Sequence, residues 1–156
     1  MITVQVKQSV FINLSAEKIF TYLSNLENLM NWSSVINVVK DRSPEVLQVG
    51  ATVQSTVRFL GCWHDMTFEV IECEPYYSLT IKSISGVAPC LFWYQLEPVA
   101  GGGTSVSQEA AVDLIEEFAE RAGQIITYAL QRQLEHDLLT LKDILEVREA
   151  LAANDV

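Results

Sequence analysis

Cysteine and histidine are scarce in this sequence of 156 residues, which contains three cysteines and two histidines. Cys62, Cys73 and Cys90 form no CxxC pair, and an odd number of cysteines gives no disulfide framework. His64 and His136 show no HxxxH spacing. These absences argue against a disulfide-stapled scaffold, and they predict no metal site and no other cofactor.

Long apolar runs are also missing. No run approaches the roughly 20 residues that a membrane-spanning helix needs. Residues 1–7 alternate between apolar and polar types, and they lack the basic start and apolar core of a signal peptide. We therefore expect a cytoplasmic protein with reduced thiols and no stable membrane insertion.

Basic residues are outnumbered: 10 lysines and arginines face 20 acidic residues, for a formal net charge of −10. Nucleic-acid binding depends on neutralising phosphates, and anionic membranes attract basic segments. The charge balance predicts neither partner, and it is typical of a soluble acidic surface.

The most informative segment that is present is 115–145, where apolar residues recur every three or four positions. This spacing places them on one stripe of a single long helix. The stripe consists of Ile115, Phe118, Ala122, Ile126, Leu130, Leu134, Leu138, Leu141 and Leu145. A helix of about 30 residues extends roughly 45 Å, so its stripe needs a broad apolar surface to cover it.

Most of the remaining chain alternates between apolar and polar residues, as half-buried strands do. The alternation predicts strands at 2–12, 35–39, 52–59, 66–70, 79–83, 91–96 and 104–112. The predicted links are a break at 41–44, a hairpin at 60–65 that contains His64 and Asp65, and a glycine turn at 101–103. Two short helices should follow the first strand, with Ser15 as the N-cap of the first.

Strands and the long helix segregate along the chain, which predicts one α+β domain over residues 1–156. Short links between strands favour an antiparallel meander, here of about seven strands curved around the C-terminal helix. Small and medium inward residues such as Val53, Ser55 and Ala110 favour incomplete filling of the space between sheet and helix.

Four short segments, in order, carry a resemblance to a known family. They are the strand-to-helix opening at 11–20, the Asn/Trp segment at 28–32, the Glu-x-x-Pro turn at 72–75, and a Leu-Glu-Pro hairpin followed by a Gly-Gly-Thr turn at 94–104. The chain resembles the START-like (SRPBCC) superfamily, and within it the small bacterial proteins similar to polyketide cyclase/dehydrase. The resemblance implies a helix-grip fold with an internal cavity for a small apolar or amphipathic ligand. It implies no particular reaction, since members include binders, cyclases and regulators.

Inward-facing positions supply the candidate site. Tyr94 lies between inward Phe92 and Leu96, as a ligand contact or as an ordinary core tyrosine. Gln108 shares the inward phase of its strand, so its amide either pairs with another side chain or is left for a ligand. The candidate ligand-binding residues are Val57, Phe59, Phe68, Ile81, Phe92, Tyr94, Gln108, Ile126 and Leu130.

Neither histidine has a convincing catalytic setting. His64 lies near a strand end, from which it reaches only the cavity mouth, and His136 faces away from the apolar stripe. No serine stands in a nucleophile-elbow pattern, so the catalytic residues stay unknown. The inward polar groups, Ser55, Ser83, Tyr94 and Gln108, do not titrate near neutral pH, which predicts a flat ligand affinity between about pH 6 and 8.

The leading interpretation is a protein that binds or transports a small hydrophobic molecule, lipid-like or polyketide-like, in an internal cavity. The first alternative is a cyclase or dehydratase that acts in the same cavity. The second is a protein-interaction module with a filled core. An inward histidine or aspartate beside Tyr94 would favour the enzyme, and an apolar cavity without titratable groups would favour the carrier. The sequence leaves the ligand and the oligomeric state open.

Overall fold

Seven strands and three α-helices make up the described part of this computed structural model, which covers residues 1–34, 36–43, 48–59, 61–86 and 88–154. The side chains of residues 37–43 and of Phe59 lie outside the description. The strands are β1 (Ile2–Ile12), β2 (Ile36–Ser43), β3 (Thr52–Phe59), β4 (Cys62–Glu74), β5 (Ser78–Ser85), β6 (Cys90–Pro98) and β7 (Thr104–Leu114). The helices are α1 (Ala16–Leu23), α2 (Leu29–Trp32) and α3 (Glu116–Asn154), with a 3₁₀ turn at Leu26–Asn28 between α1 and α2.

All seven strands join one antiparallel sheet in the order β1-β7-β6-β5-β4-β3-β2. Strands β2 to β7 form a meander, and β1 pairs with β7 along its whole length, from Ile2 opposite Leu114 to Ile12 opposite Thr104. The α+β class, the strand number and the antiparallel meander predicted from the sequence are confirmed.

Strict alternation of side chains produces the inner face of the sheet. In β7 every second residue is buried over all 11 positions, because successive side chains of a strand point to opposite faces. The first short helix begins as predicted, since the Ser15 side chain accepts a hydrogen bond from the Lys18 N–H at 3.3 Å. Buried residues of α1, the 3₁₀ turn and α2, among them Ile19, Leu26 and Leu29, belong to the same core cluster as inner-face residues of the sheet.

Helix α3 lies across the inner face and packs mainly on β1 and β7. Six members of the predicted stripe are buried: Ile126, Leu130, Leu134, Leu138, Leu141 and Leu145. The prediction was wrong for Ile115, which precedes the helix and is exposed, because β7 runs up to Leu114 and α3 begins only at Glu116. No helix within the described ranges is both long enough and apolar enough to cross a membrane.

Two polar contacts fix the C-terminal half of α3 to the end of β1. The Lys142 ammonium group donates to the Phe11 carbonyl oxygen at 2.7 Å, and the Glu146 carboxylate accepts from the Asn13 N–H at 3.0 Å. These bonds satisfy backbone groups at the place where the strand ladder ends.

The predicted hairpin at 60–65 was too long. β4 already begins at Cys62, so His64 and Asp65 lie in a strand, and Leu60 falls outside the described residues. Asp65 remains compatible with the strand because its side chain is exposed and accepts a hydrogen bond from Thr56 on β3 at 3.3 Å. Cross-strand pairing therefore prevails over the local polarity that indicated a loop.

The predicted break at 41–44 was also wrong in part, because β2 continues to Ser43. β2 is an edge strand with two irregularities in its register, and edge strands commonly carry charged residues. Val35, the first residue of the predicted strand, and Pro44, the last residue of the predicted break, lie outside the described residues.

Candidate functional site

A cavity of about 60 Å³ lies between the inner face of the sheet and the middle of α3. Its walls are mostly apolar, and they come from strands β3 to β7, from the α2–β2 segment and from α3. Seven of the candidate ligand-binding residues line it: Val57, Phe68, Ile81, Phe92, Tyr94, Gln108 and Leu130. Their position at the cavity is a structural fact, and their contact with a ligand stays a prediction.

The two other candidates lie elsewhere. Ile126 borders a neighbouring groove and not the cavity itself. The side chain of Phe59 lies outside the described part of the chain.

That groove has a volume of about 350 Å³ and runs between the β3–β4 turn and α3. Arg58, Leu130 and Gln133 border both the groove and the cavity, so the two spaces are neighbours. Ile126 and Ala129 add apolar surface to the groove, and Arg132 adds a second positive charge. The groove therefore adjoins the cavity along these shared residues.

A polar pair interrupts the apolar wall. Tyr94 on β6 stands directly opposite Gln108 on β7, so both side chains share the inner face. Gln108 Nε2 donates a hydrogen bond to Tyr94 Oη at 3.4 Å, and Gln108 Oε1 is buried with no partner in the described part of the chain. The Trp32 ring meets the Tyr94 ring edge-to-face, with 6.0 Å between ring centroids. Of the two possibilities foreseen for Gln108, pairing with another side chain is observed at Nε2, and a ligand contact at Oε1 stays a prediction.

Asp137 is a cavity-lining carboxyl group that the sequence analysis did not single out. It lies on α3, lines the cavity, and is 1% exposed. The Ser34 N–H donates to Asp137 Oδ1 at 3.0 Å. Burial raises the pKa of Asp137 above its ordinary value, because a carboxylate loses its hydration there. The hydrogen bonds from Ser34 and the charge of nearby His136 act in the opposite direction.

A helical signal for Asp137 was present in the sequence. It stands three residues after Leu134 and four before Leu141, which is the same spacing that defines the apolar stripe. The sequence analysis assigned this face of the helix to apolar residues only, and Asp137 was not among its candidate site residues. The prediction that ligand affinity does not change with pH considered four inward polar groups and left out Asp137.

The phenol of Tyr94 is affected by the same surroundings. Burial raises the pKa of Tyr94 well above its ordinary value, and the negative charge of Asp137 raises it further. The phenol accordingly stays protonated at neutral pH, and it is close enough to Asp137 for the two groups to influence each other.

Cys90 also borders the cavity, but its environment suppresses its reactivity. Burial raises the pKa of the Cys90 thiol to about 11. The thiolate is the nucleophilic form of cysteine, so almost no reactive species is present at neutral pH. The backbone N–H of Cys90 donates to Ser83 Oγ at 2.9 Å, which gives the inward hydroxyl of Ser83 a structural partner.

The histidines lie away from the cavity lining. His64 pairs with Val57 across the β3–β4 ladder and is half-buried, and His136 is exposed on α3. Within the described ranges, no group of three or more histidine, cysteine and acidic side chains is arranged to hold a metal ion.

A curved antiparallel sheet wrapped around a long C-terminal helix, with a cavity between them, is the helix-grip arrangement of START-like proteins. The profile of the family described as "Polyketide cyclase / dehydrase and lipid transport" matches residues 3–146. The chain belongs to this family. No curated protein matches it in sequence.

Three solved structures illustrate the shared fold. A START superfamily protein from Mycobacterium smegmatis has a TM-score of 0.75 and 16% identity, over 91% of this chain and 97% of its own. The Zhui aromatase/cyclase from a Streptomyces species has a TM-score of 0.76 and 12% identity, over 94% and 96%. A norcoclaurine synthase from Thalictrum flavum has a TM-score of 0.73 and 13% identity, over 95% and 97%. Identities this low establish the fold alone.

Proposed function

We propose that this protein binds a small, largely apolar molecule, lipid-like or polyketide-like, in the cavity between the sheet and α3. The observation that carries the proposal is the cavity itself, whose lining is predominantly apolar and includes seven residues selected from the sequence pattern alone. Preformed apolar cavities with a few polar groups are the usual sites of small molecules. The family description, which includes lipid transport, supports the same class of ligand.

The dimensions of the site restrict how such a molecule sits. A cavity of about 60 Å³ holds only a small group, whereas pockets for drug-sized ligands have roughly 300–1,000 Å³. The adjoining groove offers about 350 Å³ more. We therefore place the smaller end of the ligand in the cavity and the remaining body along the groove, between Leu130 and Ile126.

A fluorescent apolar dye tests this binding mode. We expect one dye per folded protein, displaced by fatty or aromatic compounds. Leu130→Trp puts added bulk where cavity and groove meet, and should weaken dye binding more than it lowers the melting temperature. Leu139→Trp is the matched control, because Leu139 is exposed on the same helix. Dye binding that appears only on thermal unfolding, or that is equal in both variants, would refute the cavity.

A specific observation favours a second candidate, an enzyme that moves protons on a bound polyketide-like chain. Asp137 and Tyr94 place a carboxyl group and a phenol at one cavity, and the elevated pKa of Asp137 brings its titration closer to neutral pH. Proton-transfer groups are most effective when their pKa lies near the working pH. This is the inward aspartate beside Tyr94 that the sequence analysis named as the sign of an enzyme.

Deuterium exchange separates the two candidates. An acetoacetyl thioester in D₂O exchanges its C2 protons, and a proton-transferring enzyme should accelerate that exchange. Asp137→Asn should abolish the acceleration, and Asp143→Asn should leave it unchanged, because Asp143 is exposed on the same helix. Equal exchange with and without protein would eliminate the enzyme and leave the carrier.

The filled interaction module is the least supported alternative, because the space between sheet and helix is incompletely packed. We further propose a cytoplasmic location, since all three cysteines are unpaired.

A further inference from the structure

The Tyr94–Gln108 pair leaves a defined hydrogen-bonding pattern at the cavity. Gln108 is 5% exposed, and the bond from its Nε2 to Tyr94 Oη orients its amide. The amide oxygen Oε1 is then buried without a donor in the described part of the chain. Because Tyr94 Oη accepts from Gln108, its own hydrogen stays available for donation. One acceptor and one donor therefore stand side by side.

Buried polar atoms without partners are uncommon in folded proteins, and each calls for an explanation. Gln108 lines the cavity, so a donor placed in the cavity next to it meets the lone carbonyl oxygen. Asp137, a carboxyl group at the same cavity, is held by Ser34, whose N–H donates to Asp137 Oδ1 at 3.0 Å. Among the described side chains that line the cavity, Gln108 carries the buried oxygen that has no hydrogen-bond partner.

We propose that the ligand carries a hydroxyl group, which donates to Gln108 Oε1 and accepts from Tyr94 Oη. The inference rests on the proposed binding function and adds the chemical class of the buried end, an alcohol or a phenol. A ketone or an ether satisfies the phenol only and leaves the Gln108 oxygen without a donor. A hydrocarbon end satisfies neither. Gln108 is accordingly the residue that determines specificity.

Two probes of similar shape test the proposal: 2-naphthol and 2-methylnaphthalene, in which a methyl group replaces the hydroxyl. The quantity of interest is the ratio of their dissociation constants, compared between the parent protein and Gln108→Leu. We expect the substitution to weaken 2-naphthol at least about tenfold relative to 2-methylnaphthalene, because the hydroxyl loses its acceptor. Comparing ratios removes the general preference of an apolar cavity for the methyl compound.

Ser55→Ala is the matched control. Ser55 is also buried on the inner face, its Oγ also lacks a partner in the described residues, and it is not part of the cavity lining. The probe ratio should not change in this variant. Thermal melts establish that each variant is folded, and Gln108→Met replaces Gln108→Leu if the latter is not.

The outcomes are distinct. A tenfold change of the ratio in the Gln108 variant alone supports the hydroxyl site. An unchanged ratio, with both probes still bound, overturns the hydroxyl site and leaves ligand binding intact. Failure of both probes to bind the parent protein overturns the hydroxyl site together with the proposed function.

Discussion

Replacing Leu138 by alanine tests whether the long helix is held by the stripe that the sequence predicts. Leu138 is 1% exposed in the core between α3 and the sheet, whereas its neighbour Leu139 is 48% exposed. The two positions share residue type, helix and local propensity. Only burial distinguishes them.

The expected magnitude follows from this burial. Truncating a buried leucine removes its transfer free energy and leaves a cavity, which together lower the free energy of unfolding by about 2–5 kcal/mol. The sheet that faces Leu138 is held by strand pairing and cannot collapse into the space, so we expect a value in the upper part of this range, about 4 kcal/mol. For a domain of this size, that corresponds to a fall of roughly 8–16 °C in melting temperature.

Leu139→Ala should change the free energy of unfolding by less than about 0.5 kcal/mol, because an exposed side chain loses little and alanine favours helix. Urea unfolding of both variants, with thermal melts as a second probe, measures the difference. Equal destabilisation would show that α3 is rotated relative to this description and would refute the burial assignment.

Two carboxyl groups should give opposite pH dependences of stability. Burial raises the folded-state pKa of Asp137 above its unfolded-state pKa of about 4. Ionisation of Asp137 therefore lowers the free energy of unfolding as pH rises above about 4. Asp137→Asn should be at least as stable as the parent protein at pH 7 and should lose this advantage near pH 4. Urea unfolding between pH 4 and pH 7 measures this difference, and a variant that is less stable than the parent by the same amount at every pH would contradict the prediction. Bonds from the Asn13 N–H and Lys142 lower the pKa of Glu146, so its contribution is present above about pH 4 and is lost as pH falls. Glu146→Gln should therefore lower the free energy of unfolding by less than about 1 kcal/mol at pH 7, with no deficit near pH 3, and the reverse order would contradict it.

The fold was readable from the sequence because its determinants are local and periodic. A period of two marks the strands, and a period near 3.6 marks α3, so each inner face follows from the order of residues alone. The extension of β4 back to Cys62 was not readable in this way. It depends on pairing with β3, and pairing partners are not local in sequence.

The cavity lining was predicted where side chains follow the inward phase of a strand or the stripe of the helix, and this phase also selected Tyr94 and Gln108. Val57, Phe68, Ile81, Phe92 and Leu130 were selected as inward apolar residues, and all five line the cavity. The groove was not anticipated. It is formed where the β3–β4 turn approaches α3, and this distance depends on the curvature of the sheet.

Two polar residues interrupt the apolar pattern of the inner face. Gln108 and Asp137 both occupy inward positions where a leucine or valine would pack without a hydrogen-bonding requirement. Each residue lowers the stability of the folded state, because Gln108 buries an oxygen without a hydrogen-bond donor and Asp137 buries a carboxyl group whose pKa is raised. Polar groups of this kind are expected where a site needs them, since local rules of folding are most often broken at functional positions. We therefore propose that the cavity wall near Tyr94 determines which ligand binds, and that the apolar majority of the lining serves mainly to exclude water from it.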